Sequence, residues 1–220
     1  MKAVIFDLDD TLFDHTTSAT NAIHGWVPEL GGTSSDELVA EWFVIEKHRF
    51  DRWLNGDTSH QGQRRERLRD FLPLIDHPVP DGDDELDAIF AGYLKHYRAS
   101  WVAFPDARPA LDIARSNGWR IGVLTNGSNT QQNAKLETIG LSALVDVVCT
   151  SELLGVSKPD PAAYLRTCQA LGAEPDDTIM IGDNLELDVL APRTAGLTAH
   201  HLDRTTGITL LDLLPGRFSA

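Results

Sequence analysis

The chain has 220 residues, 42% of them hydrophobic and 24% charged, with 33 acidic against 19 basic side chains for a formal charge of -14. That is the composition of an ordinary globular protein, long enough to bury a sizeable core and to carry a smaller insert. The acidic balance argues against nucleic acid or an anionic membrane as the main partner, but it admits a phosphorylated metabolite, because a bound divalent cation and one or two bases reverse the field locally.

Residues 2–8 read as a first, buried strand: a short apolar run with β-branched residues, followed at once by Asp9, Asp10 and Thr11. Carboxylates at a strand end are costly unless a metal or hydrogen bonds compensate them. From His15 to about Val102 the pattern is mostly helical. Leu38, Val39, Trp42, Phe43, Ile45, Phe50, Trp53 and Leu54 recur at helical spacing after an N-cap candidate at Ser34 or Ser35. Leu86, Ile89, Phe90, Tyr93, Leu94, Tyr97 and Trp101 follow the same period. Gly31-Gly32 and Asn55-Gly56 are expected to close helices, and Pro73, Pro78, Pro80 and Gly82 to mark a loop. The periodicity of the aromatics predicts a packed core rather than a ligand cage. The basic stretches Lys47-His48-Arg49 to Arg52 and Arg64-Arg65 to Arg69 alternate with acids, which predicts solvated helix faces paired at i,i+3 and i,i+4.

After Pro105 the texture changes. Segments alternate as helix 106–117, strand 120–125, helix 129–139, strand 145–150, helix 160–171, strand 177–182, helix 185–191, strand 197–202 and a last helix near 207–214. Such alternation predicts an α/β core with a parallel, Rossmann-like sheet. Strand one then belongs with the later half, giving a core of 1–14 and 103–220 and an inserted helical domain of 15–102. Pro192 is expected to kink or stop the helix after Asp188, since its ring crowds the carbonyl four residues back. Cys149 and Cys168 sit in apolar settings without metal or disulfide spacing, and neither a leader-like segment nor a membrane-length apolar run is present. The cytoplasm is the expected compartment.

In an open parallel sheet, ligands bind beyond the carboxyl ends of the strands. Those ends carry Asp7, Asp9 and Asp10; Thr125, Asn126 and Gly127; and Asp183 and Asn184, with Lys158 in the loop after the 145–150 strand. Mg²⁺ takes oxygen ligands and keeps several waters, so Asp7, Asp183 and the carbonyl of Asp9 form a candidate set. A carboxylate beside the ion can attack phosphorus, with Asp9 protonating the leaving oxygen and Lys158 balancing charge. The Thr125 hydroxyl and the amides of Asn126 and Gly127 are candidates to hold a phosphoryl group. His15, just past this loop, is a candidate substrate contact; Asp10 is expected to bond its own turn. His200 and His201 have no acid cluster nearby in sequence and read as incidental.

Four motifs in order, Asp7-Leu8-Asp9-Asp10-Thr11, Leu124-Thr125-Asn126-Gly127, Lys158-Pro159-Asp160-Pro161 and Gly182-Asp183-Asn184-Leu185-Glu186-Leu187-Asp188, resemble the haloacid dehalogenase-like (HAD) hydrolase superfamily. The resemblance spans the chain and implies that the helical insert is that superfamily's subfamily I cap. It implies Asp7 as nucleophile, Asp9 as general acid/base, Thr125 and Lys158 as phosphate-stabilising residues, Asp183 as a metal ligand and Asp188 as an acid of the metal site. Because the family's dehalogenases lack the second acid and need no metal, Asp9 and Asp183 point to a Mg²⁺-dependent phosphatase of a small phosphomonoester, nucleotidase-like or sugar-phosphatase-like. Phosphomutase or dehalogenase chemistry on the same fold is the alternative, and a non-catalytic binding protein a third.

Overall fold

The structure, a computed structural model, describes residues 2–214. It divides into two compact units, Met1–His15 with Val102–Ala220, and Thr16–Trp101. Strand β1 (Ala3–Phe6) opens the chain and is followed by α1 (His15–Trp26), α2 (Asp36–Leu54), α3 (His60–Phe71) and α4 (Asp83–Ala99). Helices and strands then alternate: α5 (Ala107–Ser116), β2 (Arg120–Thr125), α6 (Asn129–Thr138), β3 (Val147–Thr150), α7 (Ser151–Leu154), α8 (Pro161–Leu171) and β4 (Thr178–Gly182). A π-helical stretch, Leu185–Leu190, runs into α9 (Ala191–Thr194), and β5 (Thr198–His201) and α10 (Leu210–Leu213) complete the described chain. No helix among the described residues is long and apolar enough to cross a membrane.

The strands form one parallel sheet in the order β3-β2-β1-β4-β5, a Rossmann-like α/β fold. Central β1 is buried along its whole length, as a parallel strand covered on both faces must be. Chain order reverses beside it, so the carboxyl ends of β1, β2 and β4 meet at the switch point where such sheets hold ligands. Phe6 pairs with Val123 on one side and Ile181 on the other, which brings Asp7, Thr125 and Asp183 to the same edge.

Beyond β1 the chain turns through Asp10, whose φ of 58° is left-handed, a region that Asp tolerates better than most residues. The Asp10 N–H donates to the Phe13 carbonyl at 2.7 Å. Arg204 holds the turn from outside, donating to the Asp10 carbonyl at 3.3 Å and the Thr11 carbonyl at 2.6 Å. Its guanidinium also pairs with Asp106 at 3.2 Å and lies over the Phe104 ring.

The expected break at Pro192 takes another form. Leu185–Leu190 winds with π spacing, the Ala191 N–H bonding the Glu186 carbonyl five residues back, and Pro192 enters in the first turn of α9. Near a helix start its missing N–H costs nothing, so the chain continues rather than stopping.

In the helical unit, Trp42 is fully buried, with its ring 4.9 Å from Phe71, 4.5 Å from Tyr93 and 5.9 Å from Trp26, centroid to centroid. Trp42→Ala is expected to lower stability by about 3–5 kcal/mol, measurable as a shifted urea midpoint. The basic stretches differ from expectation. Lys47–Asp51 has the i,i+4 spacing, but Arg49 reaches Glu66 and Asp70, Arg65 reaches Asp83 and Asp87, and Arg67, 4% exposed, reaches Glu46 at 2.6 Å. These pairs bridge α2, α3 and α4, because the charged faces turn toward one another rather than to solvent.

Candidate active site

Asp7 follows β1 directly, its N–H bonded to the Ile181 carbonyl at 2.9 Å. Lys158 Nζ donates to Asp7 Oδ1 at 2.6 Å and to Asp188 Oδ1 at 2.7 Å, and all three side chains are buried. The Asn184 N–H donates to Asp188 Oδ2 at 3.1 Å, so Asp188 is pinned at both oxygens despite the proline that follows it. A Cβ on Gly182 would lie 2.4 Å from the Asp188 carboxylate, which is why β4 ends on glycine. Asp183 is fastened by Thr11, whose Oγ1 accepts from the Asp183 N–H at 3.2 Å, and His201 Nε2 bonds the Asp183 carbonyl at 2.8 Å. His201, expected to be incidental, therefore supports this loop.

Asp7, Asp183 and Asp188 each present a carboxylate oxygen within 4.8 Å of the others. Burial raises the proton affinity of Asp7 well above normal; Lys158 opposes this, and Asp188 and Asp183 add to it. Burial, then Asp188 and Asp10, push Asp183 up to about 6. Burial disfavours the Lys158 cation, but Asp188 and Asp7 outweigh it and keep the amine charged. Crowded carboxylates of this kind are the hard oxygen donors that fit Mg²⁺.

Asp9, two residues from Asp7, lies in a different setting. Lys135 Nζ contacts its Oδ1 at 2.5 Å, and Gln132 Nε2 donates to its Oδ2 at 3.0 Å and to Thr125 Oγ1 at 2.6 Å. Burial raises the Asp9 carboxyl, but Lys135, His15 and the hydrogen bonds from Lys135 and Gln132 together bring it below its ordinary value. The Asp9 side chain thus stands outside the carboxylate cluster, leaving its carbonyl as the candidate metal donor. Sequence reading passed over Lys135 and Gln132. The available signal was their i,i+3 spacing on a helix that starts just past Gly127, which turns that face to the strand ends.

The Asn126 side chain and the Gly127 N–H are engaged with protein partners. The Asn126 side chain donates to the Lys158 carbonyl and accepts from the Lys158 N–H, both at 2.9 Å, and the Gly127 N–H donates to Ser151 Oγ at 3.0 Å. They hold the loop that carries Lys158. His15 begins α1 with its ring 6.5 Å from that of Phe13 and contributes to the field on Asp9.

These proton affinities give a stability signature. In chelator, the Asp183 contribution should fall as pH rises from about 4 to about 6, because the folded carboxyl keeps its proton to about 6 while an unfolded one loses it near 3.8. Mg²⁺ added above that window should raise the melting temperature, since ligands bind ionised. Thermal melts with EDTA and with Mg²⁺ check both parts; the fall should shrink in Asp183→Asn, and a melt indifferent to Mg²⁺ at neutral pH counts against the metal site.

The haloacid dehalogenase-like hydrolase family model matches residues 1–196. Phosphatase MT3486 of Mycobacterium tuberculosis is 32% identical over 209 residues, covering 93% of this chain and 88% of that protein. The phosphoserine phosphatase of Thermus thermophilus is 36% identical over 235 aligned positions, covering 93% and 89%. Among solved structures, YfnB of Bacillus subtilis, solved bound to magnesium, shares the fold at a TM-score of 0.79 and 18% identity, covering 92% of this chain and 88% of that one. With three motifs at strand ends, a fourth in the loop before α8 and a match over residues 1–196, the chain belongs to the haloacid dehalogenase-like hydrolase family.

Proposed function

We propose that this hydrolase is a Mg²⁺-dependent phosphatase of small phosphomonoesters that works through a phosphoryl-aspartate on Asp7. The observation that carries the reading is the sorting of two carboxylates two residues apart. Asp7 shares Lys158 with Asp188 and neighbours Asp183, whereas Asp9 is held by Lys135 and Gln132 beside Thr125. Different surroundings assign paired carboxylates different tasks: a cation held by the Asp7 cluster would offset the burial and repulsion that raise Asp7 and leave it ionised for attack. The phosphatase names of the two relatives support the same reading.

An oxygen of Asp7 attacks phosphorus as the bond from phosphorus to the leaving oxygen breaks; Asp9, ionised at rest beside Lys135, takes the proton of the phosphomonoester monoanion and passes it to that oxygen. Asp9, now ionised, takes a proton from water as the water oxygen attacks phosphorus; the bond to Asp7 breaks and inorganic phosphate leaves. Lys158 balances charge shared by Asp7 and the phosphoryl oxygens, and the Thr125 hydroxyl donates to one of them. The Asn126 side chain acts one step behind, by placing Lys158, while the Asn126 backbone N–H would reach a phosphoryl oxygen beside Thr125. Asp7, Asp183 and the Asp9 carbonyl would hold Mg²⁺, with Asp188 ordering Lys158 beside them; when bound, the ion neutralises phosphoryl charge. The helical unit, as a cap, would select among small phosphorylated metabolites. The buried thiols of Cys149 and Cys168 suit the reducing cytoplasm.

A panel of phosphomonoesters, assayed for released phosphate, tests this. Release should require Mg²⁺, cease in EDTA and return when Mg²⁺ is restored. Halide release from 2-haloacids that survives chelation would overturn it, as would transfer of phosphate between sugars without release.

A further inference from the structure

We propose that Lys135 and Gln132 are positioning residues that aim the Asp9 carboxylate at the leaving oxygen; the inference rests on the phosphatase reading above. A carboxylate on a loop has two rotatable side-chain bonds, and proton transfer is efficient only when its oxygens are fixed against the reacting group. Here Oδ1 meets Lys135 and Oδ2 meets Gln132. Both donors lie on one face of α6, three residues apart, and Ser128 caps that helix immediately after β2, its Oγ accepting from the Gln131 N–H. The Gln132 amide also reaches Thr125 Oγ1, so Asp9 is placed relative to the hydroxyl assigned to the phosphoryl group.

Lys135 is 2% exposed, and its ammonium lies 4.8 Å from the Phe13 ring centroid. A lysine buried this deeply is costly unless paired, so its place is not that of a solubilising surface charge. It touches the Asp9 carboxylate, and the mechanism above gives it no task. Acting through Asp9, it should matter only where a proton must be delivered.

That difference is measurable in the full-length protein with Mg²⁺. The leaving group of p-nitrophenyl phosphate departs without protonation, whereas that of glycerol phosphate requires it. kcat/KM reports on steps up to formation of the phosphoryl-aspartate, so dephosphorylation drops out of the comparison. K135M is expected to lower kcat/KM for glycerol phosphate by roughly 10²-fold or more, and for p-nitrophenyl phosphate by less than about 10-fold. K135R should recover part of the glycerol phosphate loss, and K135Q provides the same comparison should K135M not fold. Equal losses on both substrates, or no loss on either, would overturn the inference while leaving the phosphatase reading intact. Wild-type protein that releases phosphate from neither would overturn both.

Discussion

Asp7→Asn is expected to lower turnover by about 10⁴-fold or more, the loss typical of removing a nucleophile, with little change in melting temperature. The amide is nearly isosteric with the carboxylate but cannot attack phosphorus. Its carbonyl can still accept the hydrogen bond that Lys158 Nζ now makes at 2.6 Å. The substitution also removes an ionisable carboxylate that burial first, and then Asp188 and Asp183, make costly to charge. Metal-free stability should therefore hold or rise slightly while activity vanishes. The covalent intermediate gives a second readout: brief mixing with a ³²P-labelled substrate, quenched in acid, should label wild-type protein and not the variant. An Asp7→Asn protein retaining a tenth of wild-type turnover would place the nucleophile elsewhere.

Much of this site was legible because its chemistry is local in sequence. A parallel sheet delivers the residue after each strand to one edge, so Asp7, Thr125 and Asp183 could be gathered without coordinates. What escaped depends on which polar face of a helix meets another element. Lys135 on α6 and Arg67 on α3 carry the signature of solvated positions, since a charge in a helical period says nothing about its neighbours in space; both are buried against a carboxylate. His201 was missed for a related reason. Its bond to the Asp183 carbonyl follows from the register that sets it opposite Gly182, and one strand's sequence does not contain its register. The expected stop at Pro192 failed because a π stretch upstream shifts the hydrogen-bond partners by one residue, and no composition signal announces it.

Lys158→Met should be the variant that costs both rate and stability. Nζ bridges Asp7 and Asp188, two buried carboxylates, and removing one partner of a buried ionic group costs about 3–5 kcal/mol by leaving charge uncompensated. Turnover should fall by about 10²–10³-fold, the loss expected when one group stabilising transition-state charge is removed. The pH dependence has a definite sign. Without the ammonium, Asp7, already raised, is raised further, so the folded protein holds protons that the unfolded chain has released. The variant's deficit in EDTA should therefore be larger at about pH 8 than at about pH 5, where protonation removes the repulsion. Mg²⁺ should return part of the stability, because a cation near these carboxylates offsets their charge. It should not return the rate, because it does not replace a donor between Asp7 and Asp188. Lys158→Met combined with Asp188→Asn separates the two effects: it should restore most of the stability and none of the turnover. Recovery of turnover in that double variant would mean that Lys158 serves only to hold the carboxylates together, and its role in stabilising phosphoryl charge would have to be given up.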